Sequence, residues 1–339
     1  MSRIVAPLRL AGLAACLAVL AVVATGLGSS ALPLDRVTAA LFGRGEAMDA
    51  VIVWTLRLPR VALAVLAGMA LALAGALLQR VTRNPVAAPS ILGITDGAAV
   101  GVVAFLWIFS DDANALAVSI HWQRLAAALG ALVFAALVAV LALLDPQGLS
   151  PLRIILYGIS LAALAKAAVT LMMILGPVYR AGQALTWLTG SVGAAHWHDV
   201  GTVAAGLIVA TLILVMVGRR VRQLVLDPET AQATGVSVGR AQLLFLALTV
   251  VLTALAVSQV GAVGFVGLIA PHIARLIHGQ FTGGYLAATA MIGGVLILGA
   301  DTLARTLAPP VELPAGALTA LVGAPLFLWL LLKERRTHG

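Results

Sequence analysis

The sequence predicts an all-α polytopic membrane protein. Three observations predict it: 62% of its 339 residues are hydrophobic, only 10% are charged, and the apolar residues gather into uninterrupted runs of roughly membrane-crossing length. With a mean hydropathy of +1.09, the chain lies far from a soluble domain, which is nearer half apolar and a quarter charged. Disorder is excluded by the same composition, and a collagen-like repeat by the lack of periodic glycine. Barrel strands would read as roughly ten-residue alternating segments, whereas these runs are about twice as long and uniformly apolar. The single cysteine, Cys16, gives no disulfide framework.

A helix needs about 20 mostly apolar residues to cross a bilayer. Ten segments qualify in chain order: 8–28, 59–79, 91–109, 125–144, 151–175, 200–217, 241–260, 262–277, 285–304 and 314–332. The eighth is short and parted from the seventh only by Gly261 and Gly264. The first has Arg3 and Arg9 in front and Gly28, Ser29, Ser30 and Ala31 behind. It exceeds the roughly 7–15 apolar residues of a signal-peptide core, so an uncleaved span is expected. A short helix is also expected at 182–192.

An even number of spans puts both termini on one side. That side collects thirteen basic residues, among them Arg3, Arg9, Arg80, Arg83, Arg153, Arg219, Arg240, Arg275 and Lys333. The other collects Arg36, Arg44, Arg57, Arg60, Arg124, Arg180 and Arg305, and Lys166 lies inside a span. The positive-inside rule then places both termini in the cytoplasm. This bias accounts for the net charge of +8 without any nucleic-acid partner. No Pro-, Ser- or charge-rich linker divides the chain, so residues 1–339 read as one transmembrane domain.

The chain carries no engine of its own. Its two lysines, Lys166 and Lys333, are followed by Ala167 and Glu334. Neither closes the G-x-x-x-x-G-K-[ST] loop that cradles nucleotide phosphates. ATP hydrolysis is therefore expected on a separate subunit, and this chain is not expected to be an enzyme. The alternative of another class is an ion-coupled secondary transporter, which usually keeps ionisable groups at mid-membrane. Asp96 and Asp301 lie near predicted span ends, and Lys166 is the one clearly central charge.

Between the sixth and seventh spans lies Asp227-Pro228-Glu229-Thr230-Ala231-Gln232-Ala233-Thr234-Gly235. Asp at the N-cap, Pro at the first helical position, Glu in the first turn and Gly after the last turn specify both ends of a short helix. Isolated two-turn helices are marginal in water. The segment 227–237 reads either as an ordinary capped loop or as a coupling helix seated on an ATPase, through Asp227, Pro228, Glu229 and Gly235.

Several stretches carry a resemblance when taken together. Arg57-Leu58-Pro59-Arg60 opens the second span, followed by Asn84-Pro85-Val86-Ala87, Pro89 and Leu92-Gly93-Ile94-Thr95-Asp96-Gly97-Ala98. Later come Gly261-Ala262-Val263-Gly264-Phe265-Val266-Gly267-Leu268-Ile269-Ala270-Pro271-His272 and Ala300-Asp301-Thr302-Leu303-Ala304-Arg305. Leu313-Pro314-Ala315-Gly316 and Gly323-Ala324-Pro325 complete the set. In this order the set resembles the permease family of ABC importers for ferric siderophores, haem and cobalamin. Val86 and Ala315 are mild departures from that pattern, and Lys166 stands at a usually small or neutral position.

The resemblance implies a dimer of ten-helix permeases, formed with a second copy or a similar permease. It implies ABC ATPase subunits inside and a periplasmic or lipid-anchored substrate-binding protein outside. It also implies that arginines at the permease mouth, here Arg57, Arg60 and Arg305, meet glutamates on the binding protein's lobes. A ferric siderophore is the leading cargo, with cobalamin or haem as the alternative. No cofactor is expected in this chain. The physics of the three arginines suits docking, because a guanidinium offers a planar, permanently charged fork to a carboxylate. The competing reading is that they snorkel to lipid headgroups. As docking residues, Arg57 and Arg60 could be reversed to Glu with loss of transport but with insertion intact.

Glycine totals 34. Gly68, Gly75, Gly97 and Gly101 would let helix backbones approach closely, since packing drives helix association in lipid. Gly261, Gly264 and Gly267 with Pro271 interrupt the chain between spans seven and eight, either as tight packing or as a hinge or path-lining element. His196-Trp197-His198 reads as an interfacial tryptophan between polar rings, and His272 and His278 also read as interfacial. No metal site is expected. A lysine facing lipid at mid-span would cost about 2.5–3.5 kcal/mol. Lys166 therefore faces protein or water, either lining the path to attract an anionic ferric chelate or held by a structural partner such as a carboxylate on a neighbouring span.

Overall fold

A computed structural model describes residues 2–28, 32–110, 116–145, 150–176, 180–218, 238–279, 284–308 and 311–337. The chain enters through α1 (Ser2–Gly26), followed by α2 (Leu34–Leu41) and α3 (Ala47–Val51). A π-helical turn (Ile52–Arg57) joins α3 without a break to α4 (Leu58–Thr82). After a 3₁₀ turn (Pro89–Leu92) come α5 (Ile94–Ile108), α6 (Trp122–Leu143), α7 (Pro151–Leu175) and the short α8 (Ala181–Thr189). The second half holds α9 (Trp197–Met216), α10 (Val238–Val260), α11 (Val266–His278), α12 (Tyr285–Leu307) and α13 (Ala315–Thr337). Among the described residues the one β-type pairing is an isolated bridge between Ser110 and Leu116.

Seven of these stretches are long and apolar enough to cross a membrane: Ala6–Gly26, Ala47–Thr82, Trp122–Leu143, Leu152–Leu175, Trp197–Met216, Gly239–Val260 and Tyr285–Leu307. Three more, Ile94–Ile108, Val266–His278 and Ala315–Trp329, are shorter apolar helices. Each apolar segment of the sequence lands on one of these, with two substantial shifts. The second helix does not begin at residue 59 but runs 36 residues from Ala47, because the helix continues through Arg57 and Arg60 where hydropathy falls. The eighth begins at Val266 rather than at 262, leaving residues 261–265 non-helical.

Local chemistry sets these ends. Pro151 sits in the first turn of α7, where a missing N–H costs nothing, whereas Pro59 lies inside the continuous helix just after the π-turn, where it removes one ladder hydrogen bond. Asp199 closes a capping box at the start of α9, accepting from the His196 backbone N–H at 2.9 Å. Trp197 donates to the Trp54 carbonyl at 2.8 Å, and the two indoles lie 6.4 Å apart, as suits aromatic rings at a membrane interface.

The core is built around α4, whose most apolar window is 78% buried. It is enclosed by α9, α10, α11 and α12. Two glycines permit that enclosure: a methyl group at Gly68 would run into the Gly293 carbonyl of α12, and one at Gly75 into the Gly267 carbonyl of α11. Such direct backbone contact replaces the hydrophobic drive that helices lack in lipid. Gly97 and Gly101 do the same for α5 against Gly130 and Ala126 of α6. Across the α4–α10 seam Thr249 donates to the Ala74 carbonyl at 3.3 Å.

Two helices start inside the bundle. Before α5, Gly93 in the left-handed region (φ 71°) packs against Gly158 and Ala162, partway along α7. The 15 residues of α5 then rise only about 22 Å. Residues 261–265 reach α11 through Gly261 (φ 73°) and Phe265 (φ 66°). The latter is a bulky side chain in a region that costs about 1–2 kcal/mol of strain. Non-helical backbone survives at this depth only when protein satisfies it. Here Ser191 N–H donates to Val260 at 2.8 Å, Ala262 N–H to Trp187 at 3.2 Å and Gly316 N–H to Gly190 at 3.1 Å.

Arg9 of α1 donates to the Ile277 carbonyl at the end of α11, so the start of α1 and the end of α11 share one end of the bundle. At the opposite end Leu313 N–H reaches the Ala304 carbonyl at 3.4 Å, and α13 departs from there. The start of α1 and the end of α13 therefore lie at the same end. His272 and His278, which the sequence suggests are interfacial, are buried.

Candidate functional site

The end opposite the termini gathers the last turn of α1, the first turn of α4, the last turns of α12 and the residues before α13. Arg57, Arg60 and Arg305 all come to this place, but none is freely presented: their exposures are 6%, 8% and 6%. This corrects the expectation of open guanidinium forks, and for Arg57 and Arg305 the physical reason is the end of α1. The last carbonyls of a helix have no intrahelical donor and carry the negative end of its dipole. Arg57 donates Nη1 to the Thr25 and Gly26 carbonyls at 2.8 and 2.9 Å. Arg305 donates Nη1 to Leu27 at 2.8 Å and Nη2 to Ala24 at 3.2 Å. Two cations thus close one helix terminus. The π-turn before α4 contributes by directing both Val53 and Arg57 inward.

Arg60 does something different. Its Nε lies 3.1 Å from both oxygens of Asp301, and Nη2 lies 2.9 Å from Oδ1. The remaining nitrogen, Nη1, donates to both oxygens of Glu312 at 3.1 and 2.9 Å. Asp301 is 1% exposed and is also paired with Arg305 Nε at 3.2 Å, four residues along α12. The Glu312 side chain, by contrast, is 51% exposed. The cluster therefore has a buried carboxylate that fixes the fold and a half-exposed carboxylate that covers the outward side of Arg60. Three guanidinium groups against two carboxylates leave it one positive charge in excess.

A second charged place lies partway along the bundle, on its surface. Lys166 Nζ approaches Asp96 Oδ1, in the first turn of α5, at 3.9 Å. The Lys166 side chain is 73% exposed and that of Asp96 18%. The sequence leaves a path-lining role and a carboxylate partner as alternatives, and the structure contains the partner together with an open side chain.

The interrupted segment is a third place, and the structure does not merge it with the second. Gly267 faces Leu71 and Pro89, and Pro271 is buried within α11, so both pack inside the subunit. Gly261 packs against Trp187 and Gly190, while a side chain at Gly264 would meet open space. Asp227, Pro228, Glu229 and Gly235, and the whole segment 227–237, lie outside the described residues.

Comparison with known proteins assigns this architecture. The model of the FecCD transport family matches residues 16–333. The chain belongs to that family. This FecCD chain is 42% identical over 316 residues to the "Probable siderophore transport system permease protein YfhA" of Bacillus subtilis, covering 93% of this chain and 92% of that one. It is 41% identical over 323 residues to the achromobactin transport system permease protein CbrC of Dickeya dadantii, covering 95% and 90%. Among solved structures, the one titled "An inward-facing conformation of a putative metal-chelate type ABC transporter" superposes with a TM-score of 0.85 at 30% identity, over 96% of this chain and 99% of the other. As a FecCD permease the chain is a multi-pass membrane protein, and its named relatives are transport subunits.

Three members of these sites were not singled out by sequence reasoning: Asp301 as the anchor of Arg60, Glu312 as its cover, and Asp96 as the partner of Lys166. One signal was available, the four-residue spacing of Asp301 and Arg305 on a single helix. Glu312 precedes Pro314 in a loop and gives no comparable signal.

Proposed function

We propose that this FecCD permease is the membrane-spanning subunit of an ATP-driven importer that carries a ferric siderophore across the inner membrane. The observation that carries this reading is likeness along nearly the whole chain to permeases named for siderophore transport. In this proposal the chain crosses the membrane ten times, counting α5, α11 and α13 as short spans, with both termini in the cytoplasm as the basic bias indicates. ABC ATPase subunits bind on that side through the segment 227–237. A second permease copy, or a similar permease, completes the path. A periplasmic or lipid-anchored binding protein docks at the arginine end. ATP binding by the partner dimer moves the coupling segment and the two permeases rock, changing the side to which the path opens. The test is uptake by the complete complex reconstituted in liposomes and offered ferric siderophores, haem and cobalamin. Accumulation of a ferric siderophore supports the reading, and accumulation of haem or cobalamin alone contradicts its cargo.

The structure alters how docking would work. With Nε and Nη2 held by buried Asp301 and Nη1 by Glu312, a carboxylate of the binding protein gains Arg60 only by displacing Glu312. Docking is then an exchange of one carboxylate for another. Exposed ion pairs contribute about 0–1 kcal/mol each, so the exchange sets orientation more than affinity. Glu312→Ala removes the competitor, and the binding protein is expected to dock up to about fivefold more tightly. Surface plasmon resonance on the complex in nanodiscs reads this directly. Unchanged or weaker docking by a well-folded variant contradicts the exchange.

A further inference from the structure

Lys166 lies three residues beyond the middle of α7 (Pro151–Leu175), about 4.5 Å from the helix midpoint. At that depth a lysine facing hydrocarbon costs about 2.5–3.5 kcal/mol, yet its side chain is 73% exposed on the subunit. The face it shares is mixed: Ser160, Ala163, Ala167 and Thr170 are exposed with it, and so are the apolar Leu152, Ile159 and Ile174. The Ser160 and Thr170 hydroxyls donate to the Leu156 and Lys166 carbonyls at 2.9 Å each, so their lone pairs line the face without demanding a donor.

Among the described residues the Lys166 ammonium has one ion-pair partner, Asp96 Oδ1. At 3.9 Å that contact is at the outer limit of an ion pair. A lysine has three donors, so this contact leaves most of its capacity unused. Asp96 in turn is 18% exposed and sits on the first turn of α5, whose preceding residue Gly93 packs against α7. The carboxylate is thus held in place while the ammonium, on a four-carbon stem, can swing away from it.

Resting on the permease reading, we infer that Lys166 and Asp96 form a cargo-contact site for metal chelates bearing net negative charge. Asp96 is the resting counter-ion: it keeps the empty site neutral, yields Lys166 to a carboxylate or phenolate oxygen of the chelate, and takes it back when the chelate leaves. The two sequence readings of Lys166, path and partner, are then two states of one device.

The test reads the charge preference of the face without relying on the cargo choice of the binding protein. In the complete complex in proteoliposomes, with Cys16→Ala as background, Ala163→Cys is treated with thiol reagents of equal size and opposite charge. With Lys166 present, the anionic reagent is expected to react faster relative to the cationic one, and Lys166→Met to lower that ratio by about tenfold. Lys166→Arg restores the ratio. No reaction with either reagent, or a ratio indifferent to residue 166, overturns the inference while leaving the importer reading intact. In the uptake arm, Lys166→Met slows ferric citrate, an anionic complex, and spares a charge-neutral ferric trihydroxamate. Equal slowing of both overturns the inference alone. A wild-type complex that moves no chelate overturns the importer reading and this inference with it.

Discussion

Arg60→Met is expected to destabilise the folded permease by about 3–5 kcal/mol, the loss seen when one partner of a buried ion pair is removed. The cost arises at Asp301, which is 1% exposed and takes three of its contacts from Arg60. Arg305 Nε at 3.2 Å compensates in part, but the same guanidinium also closes the end of α1 and cannot be redirected without uncapping it. The double variant Arg60→Met with Asp301→Leu removes both charges of the pair and should recover part of the loss, since apolar replacement of a buried pair is often neutral but Arg305 Nε then loses its carboxylate. Unfolding in detergent at graded denaturant, read by labelling of a cysteine introduced at buried Ala270 in a Cys16→Ala background, measures the cycle. Additive losses in the double variant would show that the pair is not coupled. The same contacts displace an expectation drawn from the sequence. Reversing Arg57 and Arg60 to Glu is no clean probe of docking, because it places acidic groups against the α1 carbonyls and against Asp301, and the fold is expected to suffer before any partner arrives. Glu312, half-exposed, is the position from which docking can be tested.

Much of the fold was legible because lipid imposes a simple rule: backbone polar groups must be satisfied within the segment, so long apolar runs become helices. Gly68 and Gly75 were legible for a related reason, since in lipid small residues mark where helices touch. Helix ends were less so. Hydropathy drops at Arg57, yet the π-turn at Ile52–Arg57 carries the helix onward, because Arg57 is satisfied by the α1 carbonyls and Arg60 by Asp301 and Glu312. At the arginine end the motif around Pro59 identifies the cations but not their anions. Asp301 and Glu312 lie 241 and 252 residues away in the chain, and only the packing of α12 and the loop after it on α4 brings them together. The same holds for Lys166, whose partner depends on α5 starting partway along α7 rather than at the membrane edge. Local composition reveals the elements, while pairings across the bundle are set by packing.

The account depends on energy supplied by another protein. Neither lysine of the sequence closes a G-x-x-x-x-G-K-[ST] loop, and the proposed importer takes its energy from separate ATPase subunits. The effect of omitting the ATPase should therefore be all-or-none, larger than that of any substitution considered above. The decisive measurement is accumulation of a radiolabelled ferric siderophore in liposomes containing this permease, with the binding protein outside and a proton or sodium gradient available throughout. Accumulation above equilibrium is predicted only when the ATPase subunits and ATP are both present, and to stop when a non-hydrolysable analogue replaces ATP. Accumulation by the permease driven by the ion gradient alone, with no ATPase present, would contradict the account.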